Sequence, residues 1–179
     1  NITKCVEKAG LRIAGITLEP LASSDSVLSE EEKEAGVVLV DIGGGTTDVA
    51  IFQENIIRHT AVIPFGGNII SEDIKDGCSI IKKQAELLKV KFGSALTSEN
   101  QDNEIVAIPG LRGREPKEIS LKNLASIIEA RMEEIIEQIY YEIKISGYEA
   151  ITSFSFISDL NQYFKTFITA GCSILFEIT

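Results

Sequence analysis

An α/β fold is predicted for this chain, with strands gathered into an antiparallel meander and helices before and after it. Three observations predict it. In residues 37–52, two β-branched apolar runs flank three consecutive glycines, Val-Val-Leu-Val-Asp-Ile-Gly-Gly-Gly-Thr-Thr-Asp-Val-Ala-Ile-Phe. They read as two buried strands joined by a turn. A third strand, residues 56–63, follows a turn at Glu54-Asn55 and ends before Pro64. Residues 121–145 form the strongest helix: Leu124, Ile127, Ile128, Ile135, Ile139 and Ile143 share one stripe, with Glu129, Glu133 and Glu137 opposite and Ser120 placed to cap it.

The remaining elements follow in order. Residues 1–10 read as a short helix with Ile2, Cys5, Val6 and Ala9 on one face. Residues 11–18 are a strand candidate. A second helix runs from Pro20 to about Leu28, with proline in the first turn, where no N–H is needed. Residues 29–36, Ser-Glu-Glu-Glu-Lys-Glu-Ala-Gly, read as a solvated charged loop. After the meander, Gly66-Gly67-Asn68 leads into a helix through Ile74. A lysine-rich helix over residues 79–92 is closed by Gly93. Strands at residues 104–109 and around Glu118-Ile119 flank a turn-rich link. Residues 151–179 carry no sustained period, and their charged side chains are Asp159, Lys165 and Glu177.

Composition bounds the function. A chain of 179 residues suits one domain, or one domain with an insertion. Hydrophobic and charged contents of 44% and 25% are those of a soluble globular protein. A formal net charge of −10 argues against a nucleic-acid partner or an anionic membrane surface. Cys5, Cys78 and Cys172 are widely spaced, form no Cys-x-x-Cys pair and stand beside a single histidine. They make neither a zinc site nor a disulfide framework, and are expected as small buried side chains in a reducing cytoplasm. There is no signal peptide and no apolar run of membrane-spanning length. The chain starts at Asn1 without an initiator methionine and is expected to be a piece of a longer protein.

The glycine turn is where chemistry is expected. Without Cβ atoms the backbone admits a ligand closely, and successive N–H groups can form an anion nest. Asp41 stands at the preceding strand end, where it can hold a cation, so a nucleotide phosphate with Mg²⁺ is suggested. A tight turn with polar shoulders is the bland alternative. It is not a P-loop, since no Gly-Lys-Ser/Thr follows, and a strand rather than a helix comes next. His59, in the third strand, has no Ser, Cys or acidic partner at meaningful spacing and reads as structural.

Set together, these residues resemble the actin-like ATPase superfamily and, within it, the bacterial FtsA cell division family. Asp41-Ile-Gly-Gly-Gly-Thr-Thr-Asp48 is similar to the superfamily's second phosphate motif. Resemblance to FtsA comes from Asn1-Ile-Thr-Lys-Cys-Val-Glu-Lys-Ala-Gly-Leu11, Leu21-Ala-Ser-Ser24, and Arg58-His-Thr-Ala-Val-Ile-Pro64 with Gly66-Gly67-Asn68. Lys89-Val-Lys-Phe-Gly93, Ile108-Pro-Gly-Leu-Arg-Gly-Arg114 and Ala125-Ser-Ile-Ile-Glu-Ala-Arg131 add to it. The resemblance covers about residues 1–149.

It implies the second lobe of an actin-like (ribonuclease H-like) fold with an inserted small α+β subdomain. Residues 1–19 would be a remnant of the first lobe and residues 20–70 the crossing helix and β-meander. Residues 71–145 would be the insertion, and 146–179 a return to the lobe or a diverged tail. ATP would lie between lobes, with Gly43, Gly44, Gly45 and Thr46 on its phosphates, Asp41 on Mg²⁺, and Glu86 and Lys89 toward ribose and adenine. Glu19 matches a water-placing glutamate of chaperone relatives, a position at which FtsA relatives vary. The family polymerises beneath the membrane and tethers the filament protein FtsZ, and by motif match Arg114, Arg131 and Glu134 would fall on the FtsZ-docking surface, with an ordinary surface ion pair as the alternative reading. Self-assembly, FtsZ and a cytoplasmic place at the inner membrane face are therefore the implied partners and location.

Departures from the family pattern are as informative. An Asp-x-Gly-Ser/Thr phosphate motif and a C-terminal amphipathic membrane helix are not in this sequence. The second diglycine turn has only Phe167-Ile-Thr-Ala-Gly-Cys-Ser173 in its place. The expectation is half a nucleotide site, at most a weak ATPase in the whole protein and no appreciable turnover in this chain. Two other readings share the fold: another actin-fold ATPase of chaperone or sugar-kinase type, and an interaction module that has lost the nucleotide.

Overall fold

The computed structural model describes residues 1–100, 103–110, 115–148 and 174–178. Its centre is a four-stranded sheet in the order β3-β2-β1-β6. Strands β1 (Val37–Ile42), β2 (Thr47–Gln53) and β3 (Ile56–Ile63) form the predicted antiparallel meander. The two inner strands read as unbroken apolar runs because both of their faces are covered. Val37, Leu39, Ala50 and Phe52 pack with Leu28 and Leu21 on the side of helices α2 (Glu19–Val27) and α3 (Glu30–Ala35). Val38, Val40, Ile42, Val49 and Ile51 pack on the other side against α4 (Gly67–Gly77), α5 (Lys82–Phe92) and α6 (Leu121–Ser146). The result is a three-layer α/β/α arrangement.

Helix α6 delivers its predicted stripe: Leu124, Ile128, Ile135, Ile139 and Ile143 are buried, and the Ser120 side chain accepts from the Asn123 N–H. Beside it lies the antiparallel pair β4 (Ile105–Ile108) and β5 (Lys117–Ser120), whose Ile108 and Ile119 join the α6 core. Strand β6 (Ile174–Ile178) pairs antiparallel with β1, Val38 opposite Ile178 and Ile42 opposite Ile174. No sequence pattern had marked it as a strand. Among the described residues, no helix is long and apolar enough to cross a membrane.

Four expectations are corrected. The charged stretch 29–36 is not a loop but contains α3, because Ser29 and Glu32 form a reciprocal capping box. The helix also buries Lys33, whose ammonium meets Asp25 at 3.0 Å and Glu30 at 3.3 Å. The hydrogen bond to Asp25 outweighs burial and raises the Lys33 pKa. Residues 11–18 form no strand and are exposed apart from the half-buried Ile13; Leu11, Ile16 and Leu18 are 64%, 77% and 64% accessible. An apolar run becomes a strand only when another edge takes its backbone hydrogen bonds, and none does so among the described residues. Helix α1 (Ile2–Lys8) likewise buries nothing, so Cys5 is exposed rather than core, whereas Cys78 is buried as expected. Cys172 lies outside the described residues. The lysine-rich helix starts at Lys82 rather than Ser79, because Ser79 takes a left-handed conformation (φ 47°) that ends the preceding turn.

The β2–β3 turn places Glu54 and Asn55 at φ 54° and 58°, a type I′ hairpin turn. Their N–H groups donate to the Glu34 and Lys33 carbonyls at the end of α3, both at 3.1 Å. Glutamate is a poor occupant of this conformation, whereas asparagine adopts it readily. Glu54→Asn gives up an exposed ion pair with Arg58 and should still stabilise the chain by about 0.5–1 kcal/mol, raising the thermal midpoint by roughly 2 °C. Calorimetry showing an unchanged or lower midpoint would contradict this account of the turn.

Candidate functional site

The glycine turn is held by three backbone hydrogen bonds. Gly43 N–H donates to Thr46 O at 2.8 Å and closes the loop on itself. Gly67 N–H donates to Gly43 O at 3.0 Å and Asn68 N–H to Gly44 O at 2.7 Å, so the start of α4 is docked on the turn. This docking orients the turn. In a trans peptide the N–H points opposite to the preceding C=O. With the carbonyls of Gly43 and Gly44 facing α4, the N–H groups of Gly44 and Gly45 face the other way, side by side. Gly44, Gly45 and Thr46 are exposed. Two amides facing the same way on an open glycine backbone are the arrangement that an anion-binding concavity needs.

Polar side chains surround this turn. Asp41, half-buried on β1, lies opposite Asp48 on β2 and accepts from Ser23 Oγ of α2 at 3.5 Å. Thr46 Oγ1 donates to Asp48 at 3.3 Å. Thr47 is fully buried and donates to Phe65 O at 2.8 Å, tying β2 to the segment that leads into α4. Thr46 thus faces the open side, while Thr47 is part of the frame. A carboxylate at a strand end beside hydroxyls suits a hard cation that keeps most of its waters, so the residues present fit Mg²⁺.

Glu86 and Lys89 are brought to the same end of α4. Lys89 is 8% exposed, and its three donors have three partners: Gly67 O at 2.9 Å, Ser71 Oγ at 2.8 Å and Glu86 Oε2 at 2.8 Å. Ser71 Oγ also hydrogen-bonds Glu86 Oε2. Burial pushes the Glu86 carboxyl up, but the Lys89 ammonium and the Ser71 hydroxyl together hold it below the usual carboxylate range. Gly67 therefore touches both clusters, its N–H on the glycine turn and its C=O on Lys89. Lys89 orients the partly exposed Glu86 rather than reaching outward itself.

The other candidates lie elsewhere. Glu19 is exposed at the start of α2. Arg131 grips Asp73 of α4 with two nitrogens, at 2.5 and 3.0 Å, pairs with Glu134 one turn on and stacks over the Phe65 ring at 5.8 Å. This clamps α6 to α4. Arg114 lies outside the described residues. His59 has an acidic neighbour that its sequence surroundings did not reveal, Glu142 of α6 at 3.4 Å. Sequence reading also missed Gly66 and Ser71 as site residues, because their importance comes from what folds against them. The run Gly66-Gly67-Asn68 at the helix start was the available signal for the first.

An α/β sheet with a glycine turn docked on a helix start places this chain among the actin-like folds. It superposes on the crystal structure of MreB5 of Spiroplasma citri bound to ADP with a TM-score of 0.64 at 21% identity, covering 90% of this chain and 50% of that one. The family model for cell division protein FtsA matches residues 38–175. Cell division protein FtsA of Pseudomonas aeruginosa is 46% identical over 149 residues, 83% of this chain and 36% of that protein. That of Bacillus subtilis is 40% identical over 147 residues, 82% of this chain and 33% of that protein. The chain belongs to the FtsA family. It spans about a third of the length of the curated relatives it matches.

Proposed function

We propose that this chain supplies one side of an ATP site in a cell division protein. In this reading the N–H groups of Gly44 and Gly45, with Gly43 and Thr46, hold the phosphates. Asp41 holds Mg²⁺, which neutralises phosphate charge when bound, and Glu86 meets the ribose hydroxyls under the control of Lys89. The observation that carries this is the docking of the Gly43 and Gly44 carbonyls on α4, which aims the next two amides outward together. The actin-like fold, in which MreB5 of Spiroplasma citri has been crystallised bound to ADP and to AMPPNP, supports it. Residues 20–70 would be the gripping part, with 71–145 inserted after it.

The finer family roles belong to the same proposal: self-assembly, and tethering of FtsZ at the inner face of the membrane. Arg131 and Glu134 would meet the partner from α6. An acidic FtsZ tail would exchange against Asp73 at the Arg131 guanidinium, a planar fork suited to carboxylates. Isothermal titration with Mg·ATP tests the site itself. Binding that weakens about tenfold or more in Asp41→Ala is expected from loss of a charged ligand. No heat with ATP or ADP would leave an interaction module as the better reading.

A further inference from the structure

Ser71 on α4 is fully buried, yet its hydroxyl touches every part of the α4–α5 polar cluster. It lies 3.3 Å from Gly67 O, accepts from Lys89 Nζ at 2.8 Å and bonds Glu86 Oε2. A hydroxyl has one proton to give. Of its two acceptors, the Glu86 carboxylate is charged and closer than Gly67 O at 3.3 Å, so the serine proton goes to Glu86. Both Ser71 and Lys89 then act on the same carboxylate oxygen, Oε2, and Oε1 takes neither bond. The Glu86 side chain is 47% exposed, so this buried pair fixes a carboxylate that solvent or a ligand can reach.

We propose that Ser71 is a positioning residue for the nucleoside end of the ligand, setting the Glu86 carboxylate through its own hydroxyl and through Lys89. This rests on the nucleotide reading above and deepens it. Gly67 makes the arrangement a link between subsites: its N–H holds the phosphate turn through Gly43 O, and its C=O holds the ammonium that steadies Glu86. Loss of the serine hydroxyl leaves Lys89 one acceptor short in a buried place and leaves Glu86 with one bond instead of two. The carboxylate then samples orientations that do not meet a ribose, while the amides of the glycine turn stay where α4 puts them.

The test compares two probes that differ only beyond the phosphates. Mg·ATP and Mg·tripolyphosphate are titrated into the wild-type chain, Ser71→Ala, Ser71→Thr and Ser71→Cys, with binding followed by chemical shifts so that weak affinities are read. In Ser71→Ala the preference for ATP over tripolyphosphate is expected to fall about tenfold, the loss of one hydrogen bond to a charged group. Ser71→Thr, which keeps the hydroxyl, should hold the preference within about twofold. Ser71→Cys keeps the volume with a weak donor and should show the same loss if the alanine variant fails to fold. An unchanged preference in Ser71→Ala overturns the assignment, as does an equal loss for both probes, which would mark Ser71 as merely structural. Absence of binding of either probe to the wild type brings down the nucleotide reading and this inference with it.

Discussion

Gly66→Ala is expected to abolish measurable ATP binding and to destabilise the chain by about 2–3 kcal/mol. Gly66 has extended backbone (φ −166°), so conformation does not demand a glycine there. Space does. A Cβ would stand 2.4 Å from Gly43 O and 2.9 Å from Gly44 O, both backbone atoms that cannot rotate aside. Either the turn or the start of α4 must move, and the hydrogen bonds from Gly67 and Asn68 are lost together. Each contributes about 1 kcal/mol to stability, and their loss also frees the turn from the orientation that aims its amides. Gly45→Ala is the control, since nothing lies within 4 Å of its Cβ. It should unfold within about 0.5 kcal/mol of wild type in denaturant titration. A Gly66→Ala chain that binds Mg·ATP normally would remove the docking of α4 from any account of the site.

Lys89→Met should have the next largest effect, a loss of about 2 kcal/mol or more of stability. The methionine fills the volume but leaves Gly67 O, Ser71 Oγ and Glu86 Oε2 without the ammonium that joins them. Glu86 reports the change directly. Its depressed folded pKa adds stability that is present above the unfolded value, about 4.3, and is lost as pH falls through the lowered folded value. With Lys89 gone, burial is the dominant influence and the Glu86 carboxyl should titrate higher, so this acid-side loss shrinks. Carbon NMR of the Glu86 carboxyl follows both changes. A Glu86 titration unmoved by the substitution would show that Lys89 does not set the carboxylate.

What the sequence reveals and what it hides divide along a physical line. The meander, the glycine turn and the Ser120 cap were legible because each is local, decided by residues within a few positions of one another. The Ser29–Glu32 capping box was equally local but lay inside a run of glutamates, where charge density suggests a solvated loop and masks the cap. Residues 11–18 misled for the opposite reason. Their apolar character is that of a strand, but a strand exists only with a partner, and partners are not written in the strand itself. Gly66 and Ser71 belong to the same class: one matters because a turn 22 positions earlier in the chain, at Gly44, leaves no room for a Cβ, the other because a lysine one helix later needs an acceptor. His59 could not be paired with Glu142 from a separation of 83 residues.

The two ends of the meander are braced unequally. At one end, the Glu54-Asn55 turn and the last carbonyls of α3 close each other, backbone to backbone. At the other, the glycine turn closes on itself through Gly43 and Thr46 and is docked to a helix start by two hydrogen bonds along one side. A load on the sheet would therefore be carried differently at its two ends. Movement of the glycine turn would reach the start of α4 through the Gly43 and Gly44 carbonyls, and from there α5 through Gly67 O and Lys89 and α6 through Asp73 and Arg131.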